Sequence, residues 1–329
     1  MKRRIKITAV SMIIFIISEI FLGIGSPAVQ INTVNNNEHI VIVDQSGEGD
    51  YNTIQEAVDN AQEGFTIYVK NGEYKEVIMI KKQLNLVGED KDSTLINPVS
   101  EKNKYAICLG APKIKLSGFS IKNGASGLYS SGIRVISSNI EIYNCNIFDT
   151  PVGIVIWSSE NKIENCNFLG CEDEGIALIG TEYSACNNNI ISNCIFQNNC
   201  DGIELQYSSS NTIINCDFYE NSHTGIDAIA SSNNNNKILN CRIYNNEVHG
   251  VYFSSSSGNI VKDCLIFNND NGNIEINKES INNQLITNFD SNTEQNRLMI
   301  RDFFHYVSNK KFSPDVRGII SILKSLIHF

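Results

Sequence analysis

Apolar and polar positions in this chain fall into one short phrase that is written again and again. From Gly132 to about Ile276 a Gly-Ile-x-apolar segment recurs: GIRV at Gly132, GIVI at Gly153, GIAL at Gly175, GIEL at Gly202, GIDA at Gly225 and GVYF at Gly250. After each comes a polar turn and then Asn-Cys-x-(Ile/Phe), as NCNI at Asn144, NCNF at Asn165, NCIF at Asn193, NCDF at Asn215 and NCRI at Asn240, with DCLI at Asp263. The glycines lie 21, 22, 27, 23 and 25 residues apart. A period in the low twenties is that of a solenoid, in which each repeat is one coil that cannot bury its apolar face alone.

Strand alternation then sorts the positions. If the residue after each Gly points inward, so does the third: Val135, Ile156, Leu178, Leu205, Ala228 and Phe253. Stacked coils would turn these into ladders of like residues. Cys145, Cys166, Cys194, Cys216, Cys241 and Cys264 also fall once per coil, two residues before an apolar residue that points inward. Cysteine packs as a small hydrophobe, so they read as a core ladder. The Asn before most of them is expected at a bend, its amide bonded to the next coil.

Upstream, Val41 to Ile96 forms an entry module. Val41-Ile42-Val43 reads as a strand, and Thr53-Ile54-Gln55-Glu56 as a capping box opening a short helix that Gly64 ends. Its apolar face, Ile54, Ala57, Val58 and Ala61, would close the open end of a solenoid core. Thr66 to Val69, Val77 to Ile80 and Leu84 to Val87 follow as the first strands.

The strings DYNTIQEAVDNA and TIYVKNGEYKEVIMIKKQLNLVGEDKDSTLI, with the Gly-Ile and Asn-Cys repeats behind them, resemble right-handed parallel β-helix proteins of the pectin-lyase-like superfamily. The likeness is to NosD-like repeat proteins in particular and, in the opening, to pectin methylesterases; it covers about Val41 to Asn288. It implies an all-β fold: a single-stranded right-handed parallel β-helix of about ten coils, with a short N-terminal capping helix and C-terminal helices. For chemistry it implies less, because enzymes and non-enzymes share this opening. The Gln-Asp-Thr-Leu and Asp-Phe-Ile-Phe-Gly segments of pectin methylesterases and the Asp-Pro-His-Asp of alginate epimerases have no match here; Asp149-Thr150 lacks the flanking Gln and Leu. A NosD likeness also raises a role as accessory to metal-site assembly. Copper calls for soft or imidazole ligands in a cluster, and the chain has no C-x-x-C or H-x-H.

The ends differ from the middle. Residues 1–28 read as a signal peptide or N-terminal anchor: Lys2, Arg3, Arg4 and Lys6 precede a mostly apolar run from Ile7 to Ile24, and Ser26-Pro27-Ala28 offers small residues for cleavage. Residues 29–39 are a linker, 40–290 the β-helix and 291–329 a helical C-terminal cap, with Ser313 as N-cap and Pro314 at the first position of its second helix. The body is thus expected outside the cytoplasm, at the cell surface or secreted, with membrane contact open to the N-terminal segment or the C-terminal helix. Ten cysteines in an exported chain raise a disulfide framework, for which Cys108, Cys171, Cys186 and Cys200, off the ladder, are the candidates for pairing or reactivity.

Charge narrows the partners. Net charge is −10 and the repeats carry no basic stripe, which argues against nucleic acid. A polysaccharide or cell-envelope glycan fits better. Function would be written on the outward positions of the Gly-Ile strands. The second residue after Gly supplies Arg134, Glu204, Asp227 and Tyr252; the fourth supplies Trp157 and Gln206; the turn entering these strands supplies Glu174, Asp201, Thr224 and His249. Glu204, Asp227, His249 and Arg134 are the candidate catalytic groups. Trp157, Gln206, Tyr252, Glu174 and Asp201 are candidate glycan contacts. Glu204 and Asp227, one coil apart, could share a Ca²⁺ or divide acid and base roles. The reading favoured on sequence is a binding face for envelope glycans; the alternatives are an enzyme acting on acidic polysaccharide, pectate-lyase-like or pectinesterase-like, and a structural spacer or NosD-like accessory.

Overall fold

The computed structural model describes residues 39–98, 104–124, 126, 127, 129–229, 232–286 and 289–290. The expected signal peptide, nearly all of the linker and the C-terminal helical cap lie outside these residues. Each coil contributes one short strand to each of three parallel sheets, which among the described residues hold eleven, nine and ten strands. Neighbours in each sheet are a coil apart in sequence, so every strand pairs with the same strand of the coils above and below. This is the expected parallel β-helix of about ten coils.

Register converts the repeat into a core. In the nine-stranded sheet Ile133, Ile154, Ile176, Ile203, Ile226 and Val251 pair in succession, one above the next. Val135, Ile156, Leu178, Leu205, Ala228 and Phe253 form the second buried column, as alternation requires. Phe168, Phe196 and Phe218, from the ten-stranded sheet, stack face to face with centroids 4.7 and 4.6 Å apart. The repeated glycine has a steric cause. A Cβ on Gly153 would lie 2.3 Å from the Gly175 carbonyl oxygen, and one on Gly202 would lie 2.4 Å from that of Gly225.

The six ladder cysteines are buried, and each thiol donates to the carbonyl two residues earlier, as Cys194 does to Ser192 O at 3.2 Å. No disulfide forms: all ten cysteines are free, the four off the ladder included. Three of those, Cys108, Cys171 and Cys186, are themselves buried.

Two local expectations need correction. The Asn before each ladder cysteine does sit at a bend, in the left-handed region (φ 53 at Asn144, 54 at Asn165 and Asn193, 56 at Asn215). That conformation turns Asn144, Asn165, Asn193 and Asn215 outward, and they are exposed. One expected bond between coils is made there, Asn240 Nδ2 donating to Asn215 Oδ1 at 2.7 Å, but the buried amide ladders are two other columns. One is Asn161, Asn189, Asn211 and Asn236, where each Nδ2 donates to the next Oδ1 at 3.0, 3.1 and 3.1 Å, and continues through Asn259 and Asn283. The other is Asn199, Asn221, Asn246 and Asn269. The helix Ile54–Asn60 buries Ile54, Ala57 and Val58 against the first coils as expected, but Thr53 makes no capping bond. Instead, the Glu76 carboxylate accepts the backbone N–H groups of Ile54 and Gln55 at 2.8 Å each. The cap comes from the next coil. The helix stops at Asn60 with Ala61 as its C-cap, so Gly64 (φ 84) belongs to the loop beyond.

Candidate active site

The outward surface of the nine-stranded sheet is not the open face that alternation alone describes. Val155 and Ala177, which alternation points outward, are fully buried, and with Val152 and Ile179 they form an apolar patch covered by Tyr129 and Trp157. Tyr129 belongs to the segment entering the strand Ser131–Val135, which folds over the sheet there. The covered patch separates two chemically different ends.

At one end Arg134 is clamped. Its guanidinium lies 4.8 Å from the Tyr105 ring and 4.9 Å from the Trp157 ring, and Nη2 donates to the carbonyls of Lys104 and Tyr129. Tyr129 meets Trp157 edge to face, centroids 6.0 Å apart. Trp157 is therefore engaged by Arg134 and Tyr129 rather than free to stack on a ligand with both faces. Arg134 stands three rungs from Glu204 through Val155 and Ala177, roughly 14 Å at the spacing of adjacent strands. The arginine does not join the carboxylates.

At the other end the acids converge. Glu174 pairs in register with Asp201, and Glu204 with Asp227, on the adjacent strands Glu174–Ile179, Asp201–Gln206 and Ile226–Ala228. All four are buried: Glu174 is 4 % exposed, Asp201 5 %, Glu204 8 % and Asp227 3 %. Asp201 is oriented by two donors, the Thr224 backbone N–H at 2.7 Å and His223 Nδ1 at 2.8 Å, both on Oδ1. With Nδ1 carrying a proton toward Asp201, Nε2 is the free basic nitrogen of that ring. Asp227 Oδ2 lies 3.8 Å from the same Nδ1. Gln206 Nε2 donates to Glu204 Oε1. Two carboxylate oxygens in this recess, Glu174 Oε2 and Asp227 Oδ1, are buried without a hydrogen-bond partner.

Burial with like charges crowded together dictates the protonation pattern. Burial, reinforced by the charges of Glu204 and Asp173, pushes the Glu174 carboxyl up to about 8. Burial, with Asp201 and Glu204 adding to it, pushes Asp227 up to about 7, His223 opposing. Asp201 and Glu204 are also raised by burial, but each is held back by its hydrogen bond, to His223 and Gln206 respectively. Glu174 thus holds its proton highest in the recess, while Asp201 and Glu204 are restrained by their hydrogen bonds, an inequality of the kind that acid–base catalysis requires.

Asp201, His223 and Asp227 also form a group whose candidate ligand atoms all lie within 4.8 Å of one another. Beyond Asp227, Tyr252 follows in register and stacks on His249, centroids 5.4 Å apart; His249 Nδ1 is buried without a partner. Of the residues singled out from sequence, then, Glu174, Asp201, Glu204, Gln206 and Asp227 come together, His249 and Tyr252 flank them, and Arg134 and Trp157 form a separate end.

Two members of the recess were not singled out: His223 and Asp173. Both lie two residues before a repeat glycine, where consecutive coils carry Asp173, Cys200 and His223. Their backbones stack, Cys200 N donating to Asp173 O and His223 N to Cys200 O, both at 2.9 Å. The signal was a titratable column at the turn, since the same position in other repeats holds Ser130, Pro151 and Val248. Cys200 does not behave as a reactive thiol there, because burial and then the charges of Asp201 and Asp173 push it up to about 11.

Comparison with known proteins places this geometry. The profile of the family described as "Right handed beta helix region" matches residues 86–234 and 131–290, more than half of the chain. The chain belongs to that family. Among curated relatives, a probable pectinesterase 56 of Arabidopsis thaliana is 26% identical over 179 residues, 48% of this chain and 62% of the relative. A pectinesterase/pectinesterase inhibitor 18 of the same plant is 46% identical over 63 residues, 17% of this chain and 11% of the relative. The chain thus spans less than two thirds of the length of either relative. Among solved structures, the enzymatically active domain of tailspike protein 2 from bacteriophage CBA120 superposes with a TM-score of 0.59 at 13% identity, covering 80% of this chain and 44% of that one. A rhamnogalacturonan lyase does so with a TM-score of 0.57 at 14% identity, covering 76% and 87%. At such identities the structural likeness establishes the fold. The matches support the pectin-lyase-like level of the resemblance rather than its NosD branch. Among the described residues no helix is long and apolar enough to cross a membrane.

Proposed function

We propose that this β-helix is a polysaccharide-active enzyme, exported by its N-terminal segment, that cleaves a bond in a glycan laid along the nine-stranded sheet by acid–base catalysis in the recess at Glu174 and Asp227. The observation that carries the reading is that Glu174 Oε2 and Asp227 Oδ1 are buried and unpartnered. Leaving such a group unsatisfied costs about 1–3 kcal/mol each, a strain that a binding face alone would not need and that catalytic sites commonly hold. Glu174 is the proton donor, being the carboxyl that holds its proton to about 8. Asp201, oriented by His223 and the Thr224 N–H, is placed as the base that activates water. Glycosidic hydrolysis fits this set best, because the recess is made chiefly of carboxyls with one imidazole and the cation that would stabilise an oxyanion, Arg134, stands apart.

Ester hydrolysis on an acidic polysaccharide is the second reading, favoured by the pectinesterases among the relatives. An acidic glycan would be repelled by a fully ionised recess; the protons retained on Glu174 and Asp227 lower that repulsion. The test is turnover on a panel of pectin, polygalacturonate, alginate and neutral glucans, following reducing ends and released alcohol or acetate. Glu174→Gln should lower kcat by about 100-fold or more with KM little changed. Wild-type turnover by Glu174→Gln, or retention of glycans with no turnover on any of them, would sink the enzymatic reading. Reducing ends mark the first bond type and released alcohol or acetate the second.

A further inference from the structure

We infer that Asp201, His223 and Asp227 form a binding site for one divalent first-row transition ion, with Zn²⁺ the best match. The inference concerns residues of the same recess as the proposed polysaccharide chemistry, and its test is independent of any glycan. It starts from geometry. His223 Nδ1 lies 2.8 Å from Asp201 Oδ1 and 3.8 Å from Asp227 Oδ2, and the three ligand atoms fall within 4.8 Å of one another. An ion with bonds of about 2.0–2.2 Å to imidazole nitrogen and carboxylate oxygen sets its ligand atoms roughly 3–3.5 Å apart. Binding needs the ring proton to move from Nδ1 to Nε2, which frees Nδ1 as a ligand, and small side-chain rotations then bring the three atoms to that spacing.

A second observation points to a missing partner. The Asp227 side chain is almost wholly buried, yet its Oδ1, the companion of the Oδ2 that faces His223, accepts no hydrogen bond. Buried acceptors are nearly always paired, with protein, water or an ion. An ion at Asp201, His223 and Asp227 supplies positive charge where two acids from adjacent coils face each other with only a half-exposed imidazole between them.

The ligand set selects the ion. Calcium takes six to eight oxygen ligands, and the imidazole here displaces one of a small number of available oxygens. Imidazole with two carboxylates suits zinc, with manganese the weaker match. The ligands are also supported from outside: the Thr224 backbone N–H donates to Asp201 Oδ1 at 2.7 Å and fixes that carboxylate, the kind of outer contact that orients metal ligands. His223 is positioned by the backbone stack of the turn, its N–H on Cys200 O and its carbonyl accepting Val248 N–H at 2.8 Å.

The experiment uses the full chain, stripped with chelator and carrying Cys200→Ser so that zinc held by the one partly exposed thiol is not counted. Titration calorimetry with Zn²⁺ and elemental analysis after dialysis should show one ion per chain, and Mn²⁺ paramagnetic resonance should show a weaker site that zinc empties. His223→Ala and Asp227→Asn should each weaken zinc binding by at least tenfold, while Glu141→Gln, on the eleven-stranded sheet, should leave it unchanged. His223 is half-exposed, so its variant is the one that keeps the fold. No uptake by the parent chain, uptake undiminished in His223→Ala, or Ca²⁺ bound as tightly as Zn²⁺ would each overturn the site. None of these readouts uses a glycan, so the metal inference and the polysaccharide reading fail separately.

Discussion

The interior turns and the outer recess are built by the same repeat, and they handle buried polar groups in opposite ways. In the turns, asparagine stacks on asparagine. An amide carries both a donor and an acceptor, so each copy satisfies the next, as Asn189, Asn211 and Asn236 do along their column. In the recess, acid stacks on acid, Glu174 over Asp201 and Glu204 over Asp227. A carboxylate offers only acceptors, so a ladder of carboxylates cannot satisfy itself unless a member keeps a proton or an ion intervenes. Stacking like on like therefore stabilises one region and strains the other. That contrast separates what the solenoid needs in order to fold from what it can have been kept for.

The sharpest way to break the contrast is to damage the self-satisfying side. Asn211→Ala should remove the acceptor of the Asn189 backbone N–H (2.8 Å) and of its Nδ2 (3.1 Å) at once. With two buried donors orphaned, the loss should be about 3 kcal/mol. By calorimetry that is a fall in Tm of roughly 4–6 °C for a chain of this size. Asn215→Ala, at an exposed bend, should cost far less. Equal losses in the two variants would mean that the buried ladder contributes nothing special.

The strained side should respond with the opposite sign. The folded chain holds the Glu174 proton up to about 8 against an ordinary 4.5. Between those values the folded state binds a proton that the unfolded state has released, so stability falls as pH rises from about 5 to about 8. Glu174→Gln mimics the protonated form. At pH 9 it should be more stable than the parent by on the order of 3 kcal/mol, and at pH 4 the two should melt together. Asp227→Asn should behave alike, its window closing near 7. A Glu174→Gln chain that melts lower at pH 9 would show that the recess is not strained by its carboxyls. Turnover, where present, should fall as pH rises through about 8, following the loss of the Glu174 proton.

What could be read beforehand follows the same division. The core columns from Val135 to Phe253 and the cysteine ladder were legible because burial follows directly from alternation and period. The amide ladders were located only in part. Of the bend asparagines that the pattern marks, Asn240 and Asn215 do bond across coils, but a left-handed φ at the bend turns these side chains out, and the continuous buried ladders run elsewhere. The outward acids were legible as positions, as was Trp157; that Tyr129 packs over the sheet beside them depends on a segment outside the repeat phrase. His223 and Asp173 escaped because a turn position two residues before glycine has no alternation to say which way it points. The proposal of catalysis over binding rests on the orphaned oxygens of Glu174 and Asp227, which alternation cannot show.

The smallest expected effect tests whether the two ends of the face act together. Arg134 is held between Tyr105 and Trp157 and is separated from the acids by Val155 and Ala177. Trp157→Leu should remove one cation–π contact and cost about 1 kcal/mol in stability. The shift of Glu174 should persist, because no charge near it changes and Trp157 covers the apolar patch rather than the carboxyls. If the aromatic clamp serves only to hold Arg134 for a distant part of a long glycan, Trp157→Leu should raise KM a fewfold on polymers and leave it unchanged on fragments too short to span the roughly 14 Å between the ends. A fall in kcat on short fragments would mean that the clamp reaches the recess after all, and that the apolar patch between them couples the ends instead of separating them.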